Sequence, residues 1–256
     1  MRATHVVHLG DRFAVLNKPP GLSLATPRTA PHEAVGRLVA ALPASEREAL
    51  AGRDLHLVHR LDEPTSGLVV VALDAEEHRR LTAEFAGRRV NKIYLALVWG
   101  HPRPKLARID QSMGPDRSDR RRMKVDAAGR TAITDRQVLA VAPHVALVAL
   151  WPRTGRTHQL RVHLAAVGHP IVGDDLYGGP RHRAVRDAKT RAALDPGRAL
   201  LHAWRLELPG SEPSRFEAPL PGDFRAALAA AGLPLAPPED LWQAPGNLSG
   251  QNEHTA

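Results

Sequence analysis

The sequence predicts an α+β fold built on a mixed, mostly antiparallel central sheet with flanking helices and loops. Three observations carry this expectation. Period-two alternation of apolar residues recurs along the chain, helical periodicity is confined to short stretches, and the two do not alternate as in a doubly wound fold. In order, strands are expected at residues 12–17, 68–73, 93–99, 144–151, 159–164 and 200–208, several of them rich in Val, Ile and Leu between turn residues. A first helix is expected at 33–42, where Val35, Leu38, Val39 and Leu42 fall at i, i+3, i+4 and i+7. Asp74 followed by Glu77 reads as a capping box that opens a second helix through Phe85, stopped at Gly87. Asp223 is expected to cap a third at 224–231, ending at Gly232. Residues 111–129 are polar and basic, a surface loop or ribbon. Residues 181–197 read as a partly helical excursion from the sheet. From Pro234 onward the chain is rich in Pro, Gly and Asn without an apolar face, so a disordered tail is expected.

Composition narrows the function. The 256 residues carry 35 Lys plus Arg against 27 Asp plus Glu, a formal charge of +8. With no cysteine, the chain has no disulfide scaffold, no thiolate nucleophile and no Cys-containing zinc or iron–sulfur site. No run approaches the ~18 apolar residues of a membrane span, and the opening MRATHVVHLGDRF lacks the apolar stretch of a signal peptide, so a cytoplasmic protein is expected. Aromatic residues make up only 4%, too few for a single-strand binder built mainly on stacking platforms. The basic charge is concentrated. Residues 101–136 hold ten Lys or Arg against five Asp, residues 178–205 hold seven against two acids, and from 206 onward the sign reverses. Such clusters bind a polyanion by releasing its counterions, which makes nucleic acid the leading partner class.

Common catalytic signatures are missing. At Gly168–Gly173 the glycine spacing of a phosphate-binding loop occurs, but Asp174 stands where the lysine should be. There is no G-x-G-x-x-G, no G-x-S-x-G and no H-E-x-x-H, and His158 and His163 are five apart, which suits neither one helix face nor one strand face. No metal site is expected. The 14 histidines are read as hydrogen-bonding groups.

Three segments crowd polar residues against strand-like runs: H-R-L-D-E-P-T-S-G at 59–67, K-I-Y-L-A at 92–96, and R-T-G-R-T-H-Q-L-R-V-H at 153–163. Pro64 and Gly67 hold Asp62 in a constrained loop at a strand's start. Alone, Asp62 reads as a turn former. Its company changes that. These segments resemble those of the RluA family of RNA pseudouridine synthases, which rearrange uridine to its C-glycoside isomer. The resemblance rests on H-R-L-D-x-x-T-S-G (59–67), K-x-Y-x-A-x-V-x-G (92–100), G-R-T-H-Q-L-R-V-H (155–163), G-H-P-I-x-G-D-x-x-Y-G (168–178), L-L-H-A (200–203) and an opening N-K-P-x-G at 17–21, in the family's order. It runs from about residue 11 to 221.

The resemblance implies the pseudouridine synthase catalytic fold over 1–221, followed by a C-terminal helix and disordered tail over 222–256. It implies RNA as partner, ribosomal or transfer, with no cofactor, no membrane and a monomeric enzyme. Asp62 matches the family's catalytic carboxylate, acting as nucleophile at C1′ or C6 or as a base. A carboxylate taken out of water needs an opposing cation to stay ionised. Arg161 matches the family's active-site arginine, whose fork remains protonated. Tyr94 matches the active-site tyrosine, which packs on the target base; Tyr177 is the only other tyrosine. Because a stacked base cannot react, the nucleotide must be flipped into the pocket. Arg60 matches the residue that fills the vacated space or binds the local backbone, Thr65 lies in the same motif, and Lys18, Arg156 and His158 are further candidates for substrate contacts. The arginines at 117–122 and 181–191 are then RNA-tracking charge.

The chain departs from the family in two places. Residues 22–28 (LSLATPR) do not follow the usual pattern, and N-K-P-x-G begins at Asn17, which leaves no room for the S4 RNA-binding domain of many relatives. RNA selection is then expected from the catalytic domain itself. The alternative is a non-catalytic RNA-binding or RNA-folding protein on the same scaffold, which would have no need of the intact Asp62, Arg161 and Tyr94. A metal-dependent RNA hydrolase would need clustered carboxylates that the sequence does not offer.

Overall fold

The computed structural model describes residues 3–26, 30 and 32–244. In chain order it contains β1 (His5–Leu9), β2 (Phe13–Lys18), α1 (His32–Ala40), α2 (Ala44–Glu48), β3 (His56–Leu57), β4 (Ser66–Ala72), α3 (Ala75–Ala86) and β5 (Asn91–Trp99). There follow β6 (Leu106–Asp110), β7 (Met113–Pro115), β8 (Met123–Val125), β9 (Ile133–Val141), β10 (Val145–Pro152), α4 (Gln159–Ala166), a 3₁₀ helix (Arg181–Ala184), α5 (Ala188–Ala193), β11 (Leu201–Glu207), β12 (Arg215–Glu217) and α6 (Gly222–Ala231). The pairing is mixed and mostly antiparallel, as the sequence predicts. Among the described residues no helix is long and apolar enough to cross a membrane.

The chain forms two compact units. The first comprises residues 1–92 and 202–220, the second 93–201 and 221 onward. In the first unit β4 is the central strand, buried along its whole length. It pairs antiparallel with β2, which pairs with β1, and its other edge takes β3 near one end and a short parallel contact with β11 at the other. Alternate residues of these strands, Phe13, Val15, Leu68, Val70 and Ala72, meet Leu81 of α3 and Phe216 of β12 in one apolar cluster. The capping expectation holds in part. Asp74 accepts the Glu77 N–H at 2.7 Å, but the Glu77 side chain takes the guanidinium of Arg80 instead of closing the box.

In the second unit β5, β10, β9 and β6 pair antiparallel in that order. On one face Ala96 and Val98 of β5 and Ala146, Val148 and Leu150 of β10 pack against Leu160 and Leu164 of α4. Residues 111–129 form the β7–β8 ribbon. The 181–197 excursion is partly helical.

Two local expectations are corrected. Residues 159–164 are the helix α4, not a strand. Gln, Arg and His alternate there with Leu and Val, which imitates one polar and one apolar face; yet all six residues are buried, because each polar side chain has a partner. Asp223 is not the N-cap residue of α6, although its carboxylate accepts the Phe224 N–H at 2.9 Å. Pro221 takes that position, and the Asp223 carboxylate accepts Arg198 Nε and Nη2 at 2.7 and 2.9 Å. Gly232 ends the helix in the left-handed region as expected, with φ of 70°. Of the expected tail, residues 234–244 contain no helix or strand, although Leu241 is buried; residues 245–256, like 27 and 28 of the departing segment, lie outside the described residues.

Candidate active site

In the first unit, Asp62 is fixed through its backbone. Its carbonyl accepts the Thr65 N–H at 3.0 Å, closing a turn directly before β4. Glu63 in that turn is tied to the segment after β2: its carbonyl accepts the Gly21 N–H at 2.8 Å and the Lys18 ammonium at 3.2 Å. Lys18 is fully buried and also donates to the carbonyls of Pro19 and Leu22, at 2.9 and 3.0 Å. The expectation of a substrate contact therefore gives way to a structural one, since the ammonium lies beneath the surface and joins the two loops. The turn's far end enters β4 through Ser66 and Gly67. Ser66 Oγ meets Nδ1 of the fully buried His202 at 2.9 Å, and the other ring nitrogen of His202 donates to the Ala218 carbonyl at 3.1 Å. Gly67, at φ of 115°, lies so close to β11 that a Cβ would collide with the Ala203 backbone. The T-S-G and L-L-H-A motifs thus encode one strand-to-strand contact.

The near side of the turn is anchored by His59. Its Nε2 accepts the Val70 N–H at 3.2 Å, so the ring is neutral with its proton on Nδ1, and it stacks on Phe85 with centroids 4.5 Å apart. Burial, aided by the positive charge of Lys92, pushes this imidazole down to about 3. Lys92 lies over the same Phe85 ring and is itself pushed down by burial. Between these anchors Asp62 is half-buried and Arg60 exposed. The Thr65 hydroxyl is buried without a hydrogen-bond partner among the described residues, an acceptor and donor left over inside the turn.

The second unit holds its candidates through side chains. Arg161, 6% exposed, directs Nε and Nη2 onto the two oxygens of Asp174 at 2.7 and 2.8 Å. This is the fork geometry that distinguishes arginine from lysine. Asp174, a letter of the 168–178 motif to which the sequence assigns no role, is thus the partner of Arg161. Tyr177 is the second neighbour of Arg161. Its hydroxyl lies 2.7 Å from His158 Nδ1 and accepts the Met123 N–H at 2.9 Å, while the guanidinium carbons of Arg161 and Arg122 lie 5.0 and 5.4 Å from its ring centre. His158 opens α4 at φ of 57°, a strained value for a residue with a Cβ. Beneath it Thr154, Gln159, Thr134 and His163 form a closed chain. Gln159 accepts from Thr154 and donates to the Thr134 hydroxyl, and His163 joins Thr134 at Nδ1 and donates from Nε2 to the Gln111 carbonyl. Burial pushes the His163 imidazole down to about 4, so it is neutral at physiological pH. Tyr94 packs, half-buried, on the β5 face that α4 covers, and Arg156 donates from Nε to the Thr131 carbonyl at 3.1 Å. Tyr94, Arg161, Arg156 and His158 are thus gathered in one unit, and Asp62, Arg60, Thr65 and Lys18 in the other. Among the described residues no group of three or more His, Asp or Glu is poised to hold a metal ion.

Residues 12–166 match the family model described as RNA pseudouridylate synthase, which spans more than half of the chain. The chain belongs to that family. Its activity is the synthesis of pseudouridine in RNA. The chain is 37% identical over 207 residues to the dual-specificity RNA pseudouridine synthase RluA of Escherichia coli, covering 79% of this chain and 85% of that one. It is 41% identical over 217 residues to an uncharacterised RNA pseudouridine synthase of Chloroflexus aurantiacus, covering 83% of this chain but only 64% of that relative's length. Among solved structures, human RNA pseudouridylate synthase domain-containing protein 4 superposes with a TM-score of 0.72 at 28% identity, over 90% of this chain and 94% of that one. The human domain-containing protein 1 gives 0.68 at the same identity, over 94% and 92%. Asp174 and Tyr177 lie beyond the stretch matched by the family model.

Proposed function

We propose that this pseudouridine synthase acts on uridine in ribosomal or transfer RNA, taking a single flipped nucleotide, with Asp62 as the catalytic carboxylate, Arg161 as the cation that keeps it ionised and Tyr94 against the base. The observation that supports the reading best is the fixation of Arg161 by Asp174 and Tyr177. A buried guanidinium is costly to desolvate, and here its orientation is set by two neighbours at once. Such preorganisation is what charge stabilisation in a dry site requires. The reaction breaks the N1–C1′ bond, turns the uracil, joins C5 to C1′, gives the C5 proton to solvent and takes a proton from solvent onto the freed N1, so it leaves the atom count of the RNA unchanged. No electron is transferred. Asp62 serves as nucleophile or base, and extrusion of the nucleotide exposes the sugar and base to it.

The test is tritium release from RNA labelled at uridine C5. Asp62→Asn is expected to release none while its affinity for the RNA stays within a few-fold; full turnover by that variant would overturn the assignment. Mapping pseudouridines in total RNA with and without the gene identifies the substrate, and gene-dependent positions that all lie outside ribosomal and transfer RNA would overturn the substrate class.

A further inference from the structure

One built feature in the second unit has no part in that chemistry. The 3₁₀ helix Arg181–Ala184 and α5 enclose an open hollow of about 370 Å³, lined by His182, Arg183, Ala188, Arg191, Ala192 and Asp195. The volume is at the small end of ligand sites and suits a nucleotide-sized group. Its surroundings are cationic. Arg181, Arg183, Arg186, Lys189 and Arg191 are all exposed within eleven residues, and the first three make no ion pair among the described residues.

The two acids of the segment are occupied locally. Asp187 caps α5 by accepting the Thr190 N–H at 2.7 Å, and Asp195 lies 3.6 Å from Nε2 of His182. Nor is the segment a loose tail. Val185 and Leu194 are buried, Arg191 donates from Nη1 to the Val185 carbonyl at 3.1 Å, and Thr190 Oγ1 donates to the Ala230 carbonyl of α6 at 3.1 Å. Holding five like charges on a fixed platform is unfavourable in the free protein, and a polyanion relieves that repulsion. Guanidinium forks match the paired oxygens of a phosphodiester.

We infer that this hollow and its arginine rim form a second RNA-binding site, which holds phosphodiesters of the substrate RNA outside the target nucleotide. The inference deepens the RNA reading above and rests on it for the identity of the polyanion.

The experiment measures affinity for a fluorescein-labelled transfer RNA transcript by anisotropy across a KCl series. Arg183→Ala/Arg186→Ala removes two cations whose side chains hold nothing else in the fold, with Arg183→Gln/Arg186→Gln as a second version that keeps most of each aliphatic stem. Loss of two phosphate contacts is expected to make the slope of log affinity against log salt shallower by about 1.4–1.8, and to raise KM more than it lowers kcat. The charge-matched control Arg47→Ala/Arg79→Ala alters two exposed helix arginines of the first unit. A slope that stays native in both versions, or one that changes equally in the control, overturns the site. Tritium release by the native protein is scored separately. Release with an unchanged slope sinks only the second site, whereas a lowered slope without release keeps the site and sinks the catalytic reading.

Discussion

The segment around Asp62 and the segment around Arg161 solve the same problem by different means. The first is positioned by backbone: carbonyls gathered on a buried lysine, a turn closed by Thr65, and a glycine pressed against β11. The second is positioned by side chains: a forked ion pair, a tyrosine ring in contact with two guanidinium groups, and a chain of neutral polar groups below. A backbone clamp fixes where a residue begins. A side-chain network fixes the working group itself and depends on every member. The two should therefore fail differently.

The largest effect is expected at the backbone clamp. Gly67→Ala meets both an unfavourable φ and the Ala203 backbone, and neither can move without breaking the β4–β11 register. The expected loss exceeds about 4 kcal/mol, measured by urea unfolding, and the variant is recovered poorly. Native-like stability would show that the parallel contact is dispensable. Next comes the network. Asp174→Ala leaves Arg161 charged and buried without its fork partner, which is expected to cost about 3–5 kcal/mol. Activity should fall with it, and a loss of activity without a loss of stability would contradict the structural role given to the pair.

The two segments share a response to acid. His59 in one and His163 in the other are held neutral, pushed down to about 3 and about 4. As pH falls below about 6.5 the unfolded chain takes up these protons first. Stability is therefore full above that pH, drains away as the pH drops from about 6.5 to the folded values, and levels off below them. For the fully buried His163 the drain is on the order of 3 kcal/mol by pH 4, and His163→Gln should flatten the acid limb of a stability-against-pH curve. An acid limb identical to that of the native protein would show that other groups set it.

This contrast also explains what the sequence made legible. Strands β2, β4, β5, β10 and β11 were readable because their apolar residues repeat at the period that the core demands. Asp62, Arg161 and Tyr94 came from motif resemblance, and the structure accounts for the motif letters around them, since Ser66, Gly67 and His202 form one contact. The helix α4 was misread because Gln159, Arg161 and His163 are polar yet buried. Periodicity assumes that polar residues face water, and here hydrogen bonds have replaced that water. Asp174 and Tyr177 went unassigned for a related reason. Their partners stand 13 and 19 residues away in sequence, on α4 and just before it, so no local pattern reports the pairing.

The smallest effect separates the two functions of Tyr177. Tyr177→Phe keeps the ring that Arg161 and Arg122 lie over, and removes only the hydroxyl that joins His158 to the β7–β8 ribbon through the Met123 N–H. Losing this hydrogen-bonding group should cost about 1 kcal/mol. Because the ring remains, Arg161 keeps both its fork and its aromatic neighbour, and kcat should stay close to native. The ribbon carries Arg117, Arg120, Arg121, Arg122 and Lys124 in or beside its turn, and it loses one of its ties to α4. The expected change is therefore a higher KM for RNA with little change in melting temperature. A kcat loss as large as that of Asp174→Ala would instead mean that the hydroxyl, and not the ion pair, sets the position of Arg161.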